Sequence, residues 1–367
     1  MEEGDPRIGH PSGAACASRE AAAARRRRQR RTGNAATRTR ALTQPPSLSP
    51  PPPSAPRSCG APLPLGIDGL RVLDLGCGSG RDCYAAAALV GPTGRVTGVD
   101  MTREQLDVAR THAEAYCTAT LGYASSNLTF VEGFMEDLGS AGIAPGSVDL
   151  AISNCVVNLS PDKPAVLAGV HAALADGGEF YFSDVYSDRR LSDAARADAV
   201  LWGECVSGAL YVEDFKRAAV AAGFAYPVAL SSAPITINDP AMRRVLGAAR
   251  FYSITYRLFK LPAGMLESCC EDYGQVATYK GTIPGSEGAY TLDAGHTFEV
   301  GRPALVCGNT AAMVGEGGVS WLAKHFEVRG DRRVHFGKWG GGDPVPLTSD
   351  GKGGAAPAST GGGGGCC

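Results

Sequence analysis

Two cysteines stand in distinctive settings: Cys155 in Ser153-Asn154-Cys155-Val156-Val157-Asn158-Leu159, and Cys205 in Leu201-Trp202-Gly203-Glu204-Cys205. A thiolate is a nucleophile and a soft ligand, so a thiol pair suits a soft acceptor better than a hard cation. Upstream, Val72-Leu73-Asp74-Leu75-Gly76-Cys77-Gly78-Ser79-Gly80 places glycines at alternate positions behind an acid. Such glycines let the backbone turn tightly and approach a ligand closely. A dinucleotide fingerprint has its third glycine one place later, which argues against a nicotinamide dehydrogenase. Asp100 closes Val96-Thr97-Gly98-Val99-Asp100, where an acid can accept hydrogen bonds from both ribose hydroxyls. Taken alone, Cys155 reads more readily as a small buried apolar side chain.

These residues need a scaffold that brings strand ends together. Apolar runs at 71–75, 95–100, 128–132, 148–153 and 178–183 alternate with helical segments. That alternation predicts a parallel sheet covered on both faces. An Ala-rich helix is expected over 81–90, and Thr102 with Gln105 predicts a capping box for the second helix. Pro164 suits the first turn of a third helix, which Asp176-Gly177-Gly178 should end. A further helix is expected over 212–222, closed by Gly223, and strand-like runs follow at 275–280 and 298–300. The expected fold class is α/β, with a smaller mixed α+β domain following the main one. Boundaries are expected at 1–57, 58–245, 246–339 and 340–367.

Composition excludes several function classes. The net charge of −2 hides an asymmetry, because residues 1–60 carry eleven Arg against four acids, about +7, and the remainder about −9. An acidic body does not suggest a nucleic-acid groove. Residues 1–57 are low-complexity and expected to be disordered. Their run Arg25 to Arg31 can be read as a nuclear or nucleic-acid signal, or more plainly as a solvated tail or organelle leader. No run approaches the roughly 20 apolar residues of a membrane span. The acidic start Met1-Glu2-Glu3-Gly4-Asp5 is wrong for a secretory signal. Twelve cysteines in 367 residues fit reduced thiols in a cytoplasmic setting better than a disulfide scaffold. No zinc-finger spacing is present.

The glycine spacing, with an acid two residues ahead, resembles the S-adenosylmethionine loop of Rossmann-like class I methyltransferases. That resemblance implies that Asp74 faces the cationic amino-acid part of the cofactor. Gly76, Cys77, Gly78, Ser79 and Gly80 would form the loop, and Asp100 would hold the ribose. Met101, Met135, Glu136 and Asn154 would complete the cofactor set, the first three around the adenine.

The motifs around both cysteines, together with Gly78-Ser79-Gly80-Arg81-Asp82-Cys83-Tyr84 and Tyr181-Phe182-Ser183-Asp184-Val185-Tyr186, resemble the arsenite methyltransferases. Trp202-Gly203-Glu204-Cys205, followed by Gly208-Ala209-Leu210-Tyr211, is specific to that resemblance. Cys270-Glu271-Asp272-Tyr273-Gly274-Gln275 is similar to its algal and microbial branch. The resemblance spans about 58–339 and implies that Cys155 and Cys205 hold trivalent arsenic beside the sulfonium methyl group. It also implies a third arsenic-binding cysteine before the first strand, where Cys59 stands. A fourth family cysteine would fall near Arg30, and no cysteine matches it.

The implied chemistry is methyl transfer to arsenic held by Cys59, Cys155 and Cys205 in a monomer, with a thioredoxin- or glutathione-type thiol reductant resetting the site. Neither a nucleic acid nor a membrane is an expected partner, and organelle targeting is the alternative to a cytoplasmic location. Cys83 reads as packing or redox, and Cys77 as a tolerated small residue. The pairs Cys269-Cys270 and Cys366-Cys367 read as arsenical-binding or incidental. Two rivals stand beside the arsenic reading: a small-molecule C- or O-methyltransferase, and a non-catalytic thiol protein that sequesters arsenicals.

Overall fold

A computed structural model describes residues 63–203 and 205–340. Its main element is a sheet of order β3-β2-β1-β4-β5-β8-β7, with β6 paired to β5. The strands are β1 (Arg71–Leu75), β2 (Arg95–Asp100), β3 (Leu128–Glu132), β4 (Val148–Asn154), β5 (Leu174–Ser187), β6 (Leu210–Tyr211), β7 (Val228–Ile235) and β8 (Phe251–Phe259). Pairing from β3 through β5 is parallel, whereas β8 runs antiparallel to both β5 and β7. The helices between these strands include α1 (Arg81–Val90), α2 (Arg103–Thr111), α3 (Lys163–Ala173), α4 (Asp193–Ala197), α5 (Ala199–Gly203) and α6 (Val212–Ala221).

Side-chain alternation along the strands divides the core into two layers. Val72, Leu150 and Ile152 pack with Cys83, Ala86, Leu106 and Ala109 of α1 and α2. Leu73, Leu75 and Ala151 pack on the other face with Val166, Val170, Phe215 and Ala219 of α3 and α6. Asp74 shares its parity with Val72 and therefore points toward α1. The expected parallel sheet, covered on both faces, is the one observed.

Three local expectations are corrected. Thr102 occupies the N-cap of α2 but makes no side-chain cap. Its backbone N–H instead donates to Asp100 Oδ1 at 2.7 Å, so the strand-end carboxylate fixes the turn. The start of α3 is as expected, with Pro164 in its first turn, and Asp162 caps it by accepting from Ala165 N at 3.0 Å. Asp176-Gly177-Gly178 does not follow α3 as a loop but lies inside β5, where the register with β4 shifts. There Gly177 takes φ 86°, a left-handed conformation that costs glycine nothing. The main sheet also reaches past residue 245, because β8 belongs to it.

The remaining strands are short. They are β9 (Glu271–Asp272), β10 (Gln275–Tyr279), β11 (Ala289–Asp293), β12 (His296–Glu299), β13 (Pro303–Val306), β14 (Phe326–Arg329) and β15 (Gly337–Lys338), with helix α7 (Gly308–Val314) after β13. They form a three-stranded sheet β13-β10-β14 and the pairs β11-β12 and β15-β9. Arg257 ties them to β5. Its guanidinium donates to both Glu179 oxygens at 2.6 and 2.8 Å, and to Tyr290 OH and Leu292 O. Trp321 Nε1 adds a bond to Glu179 at 2.9 Å. A buried ion pair whose lone pairs and protons are satisfied avoids the penalty of an orphaned charge. Among the described residues, no helix is long and apolar enough to cross a membrane.

Candidate active site

The cofactor loop follows β1 as the sequence predicts. Gly76, Gly78 and Gly80 all have positive φ, at 67°, 54° and 86°. A Cβ on Gly76 would meet Val156 Cγ2 at 2.8 Å, and one on Gly80 would meet the Phe130 ring at 3.0 Å. A Cβ on Gly78 would meet nothing within 4 Å. Gly78 thus borders open space, while its two neighbours seat the loop. Ser79 is exposed, but the Cys77 side chain turns into the core, so only its backbone faces the loop side.

Two carboxylates flank the loop. Asp100 accepts from Gly78 N at 2.9 Å and from Thr102 N at 2.7 Å. A carboxylate offers about four lone-pair positions, so capacity for ribose hydroxyls remains. Asp74 is buried and accepts from the Cys83 thiol at 3.2 Å. Burial pushes its pKa up to about 8, against the lowering effect of the Cys83 hydrogen bond, and the nearby Asp82 and Asp100 charges add to the rise. A carboxyl held neutral by burial in this way becomes an ion-pair partner when a cation arrives beside it. The open cradle at Gly78, with an acid on either side, fits the ribose and cationic amino-acid parts of S-adenosylmethionine. Asn154 ends β4 and donates to Asp82 Oδ2 at 3.2 Å, joining that strand end to α1. Met101 is half-buried beside Asp100, and Met135 packs against the α3 layer. Glu136 accepts from Ser160 Oγ at 2.5 Å, which links the third strand's exit to the segment after Cys155.

Cys155 follows β4, at the carboxyl edge where open parallel sheets bind ligands. Cys205 follows α5, fifty residues later, yet its Sγ lies 3.6 Å from the Cys155 carbonyl oxygen. Among the described residues, Cys155 and Cys205 are the two non-glycine residues with positive φ, at 56° and 59°. For an L-residue that conformation costs roughly 1–2 kcal/mol, and such outliers cluster at functional sites. Cys155 is disulfide-bonded, whereas Cys205 carries a reduced thiol. Cys59 lies outside the described residues. Among those described, no three His, Cys, Asp or Glu side chains converge as a metal site.

A buried polar clamp, which the sequence did not announce, holds the two cysteine loops. Asn158 N and Nδ2 donate to the two Asp184 oxygens at 2.9 and 2.7 Å, and Nδ2 also reaches Val185 O. Burial raises the Asp184 pKa to about 6, against the backbone N–H groups that favour its charge. The Cys205 loop closes on this clamp through Gly208, where a Cβ would sit 2.1 Å from Asn158 O. Lys163 donates to Ser160 O at 3.0 Å and lies 5.9 Å over the Trp202 ring, bridging the same two loops. Both clamp residues sit within motifs visible in the sequence, but their pairing is long-range.

Comparisons with known proteins converge on one family. A model described as a methyltransferase domain matches residues 67–223. The arsenite methyltransferase of Aquipseudomonas alcaligenes is 52% identical over 289 residues, covering 78% of this chain and 81% of that one. The human arsenite methyltransferase is 42% identical over 272 residues, covering 74% and 70%. The crystal structure of CrArsM, an arsenic(III) S-adenosylmethionine methyltransferase from Chlamydomonas reinhardtii, superposes with a TM-score of 0.74 at 57% identity. It covers 77% of this chain and 93% of that one. With identity this high across most of both chains, this protein belongs to the arsenite methyltransferase family.

Proposed function

We propose that the chain transfers a methyl group from S-adenosylmethionine to trivalent arsenic held by Cys155 and Cys205. The observation that carries the reading is the convergence of these cysteines, both in left-handed conformation, at the sheet edge beside the glycine loop. When bound, the cofactor supplies an electrophilic methyl group, which the arsenic lone pair can accept without prior deprotonation. No general base is then required, and none of the described side chains near the thiols is assigned that role. The residues contribute by placing and desolvating the reactants. Asp74 and Asp100 grip the cofactor, while the Asn158–Asp184 clamp fixes the separation of the thiol loops.

The Cys155 disulfide must be opened before that sulfur can take arsenic. A small thiol or a dithiol protein does so by exchange, the two reducing sulfhydryls becoming a disulfide as Cys155 and its partner gain the protons. Cys59 is the third proposed ligand and the proposed partner in the redox cycle. Inorganic arsenite has three exchangeable ligands, whereas methylarsenite has two. Since no cysteine stands at the fourth family position, the chain is expected to methylate methylarsenite faster than arsenite. The working enzyme is proposed to be monomeric and to act in the cytoplasm.

The test is incubation of purified protein with S-adenosylmethionine, a thiol reductant and either arsenical, followed by mass-detected arsenic speciation. Dimethylated arsenic forming faster from methylarsenite than product from arsenite supports the reading. Intact cofactor binding with no methylated arsenic from either substrate would overturn it.

A further inference from the structure

A second thiol pair lies outside the site described above. Cys270 immediately precedes β9, and Cys307 joins β13 to α7; both are buried. They are 37 positions apart in sequence, yet Asn309, two residues past Cys307, donates to the Cys269 carbonyl beside Cys270 at 3.2 Å, and the Cys270 thiol bears on the titration of Cys307. Donors gather on both sulfurs. Thr310 N donates to Cys307 Sγ at 3.5 Å, and Thr310 Oγ1 lies 3.3 Å from the same atom. Tyr226 OH lies 3.1 Å from Cys270 Sγ. The loop before Cys270 is stapled in place by buried Asn309, which bonds Glu267 N and O and the Cys269 carbonyl. Both thiols are reduced.

We propose that Cys270 and Cys307 form a second arsenical-binding site, a two-thiol clamp for a monosubstituted arsenic(III) compound such as methylarsenite. The stoichiometry of donors selects this class. A metal ion wants three or four ligands, and no such group exists among the described residues. Methylarsenite has two exchangeable oxygens, matching two sulfurs. Two As–O bonds break and two As–S bonds form, and the hydroxyls leave as two waters, one taking the Cys270 thiol proton and the other a solvent proton in place of the one that Cys307 has already released. No electrons are transferred, so no reductant is needed. The neighbouring Cys270 thiol, helped by the Thr310 donors and the charge of His296, holds the Cys307 pKa down at about 6 against burial. His296 is itself fixed by Asp293 at 2.8 Å. Thiolate is therefore available at neutral pH for the first As–S bond.

A surface cleft of about 470 Å³ lies beside this pair, lined by neither thiol. Trp339 N donates to Cys270 O at 2.9 Å, and Leu305 is two residues before Cys307. Trp339, Leu305 and Phe336 line that cleft. Their apolar surface suits a small uncharged organoarsenical better than a hydrated cation.

From the preceding section this proposal takes only that the protein meets trivalent arsenic, and the experiment separates the two readings. The full chain carrying Cys155→Ser and Cys205→Ser, reduced, is titrated with methylarsenite. Native mass spectrometry counts bound arsenic, and non-reducing peptide mapping locates the bridged cysteines. The expected result is an arsenic bridge joining the Cys270 and Cys307 peptides, with a loss of one bound arsenic per chain on adding Cys307→Ala. Cys366→Ser with Cys367→Ser should leave that bridge in place. Methylarsenite mapping only to other cysteines, or not binding at all, would overturn the proposal. The mapping uses a chain that keeps both thiols, so the folding of Cys307→Ala does not decide the outcome. Arsenite methylation by the unsubstituted chain, run in parallel, reports on the Cys155 and Cys205 reading independently.

Discussion

The two thiol regions are built on opposite principles. Cys155 and Cys205 sit in loops with left-handed backbone, one oxidised and the other half-exposed, clamped by Asn158 and Asp184. Cys270 and Cys307 are buried, lie in ordinary backbone conformations and are hydrogen-bonded to Tyr226 and Thr310 respectively. The first region stores strain where chemistry occurs, while the second spends none. A strained loop presents sulfur to a reacting centre at a cost in stability, and a relaxed buried pair suits holding a ligand.

The largest expected effect breaks the first region outright. Cys155→Ser or Cys205→Ser should lower kcat/KM for methylarsenite at least ~10³-fold, on the order of 4 kcal/mol of transition-state stabilisation. Affinity for S-adenosylmethionine should stay within about twofold, since the cofactor loop is untouched. Normal turnover by either variant would remove these thiols from the chemistry.

Next in size is a pH effect on the cofactor side of the same region. Asp74 keeps its proton up to about pH 8, but a cation beside it favours the ionised form. Cofactor binding should therefore release a proton. The affinity should rise by up to about tenfold per pH unit between pH 6 and 7.5, then level off. Asp74→Asn should flatten the profile, and calorimetry in buffers of different ionisation enthalpy checks the proton release. The same raised pKa has a stability consequence. The unfolded chain loses this proton near pH 4 and the folded chain near 8, so the contribution of Asp74 to stability falls as pH rises between them.

A smaller effect sharpens the role of the clamp. Gly208→Ala places a Cβ 2.1 Å from Asn158 O, and relieving that overlap should cost about 1–3 kcal/mol in denaturant unfolding. A substitution that left both stability and activity unchanged would mean that the clamp does not set the loop separation.

The smallest effects have opposite signs in the two regions. Cys205→Gly relieves a left-handed backbone and should raise stability by up to ~1 kcal/mol while activity is lost. Cys307→Ala should lower stability by about 1 kcal/mol, because it removes buried sulfur and its hydrogen bonds. Equal signs would erase the distinction between a strained and a relaxed thiol site.

Much of the fold was legible from period and punctuation. The five parallel strands and α1 fall where alternation and composition predict them, and Gly76, Gly78 and Gly80 take the positive φ that their spacing requires. Misreadings arose where a local signal met a competing partner. The Thr102 side chain makes no cap while its backbone N–H goes to Asp100, and Asp176-Gly177-Gly178 was drawn into β5 by backbone bonds between Gly177, Gly178 and Lys260. The extension of the sheet to β8 was hidden because antiparallel strands follow no strand–helix alternation.

By itself, then, the sequence determined the strand–helix order, the glycine loop between Asp74 and Asp100, and the presence of thiols at recognisable positions. These depend on side-chain type and spacing along a few neighbouring residues. Only the tertiary structure decided that Cys205 meets the Cys155 carbonyl, that Asn158 pairs with Asp184, that Asp74 turns toward Cys83, and that Cys270 finds Cys307. Each of those last contacts joins segments distant in sequence or buried by packing. Its stability comes from apolar burial that brings the segments together and from pairing that offsets the desolvation of their polar groups, which no local pattern encodes.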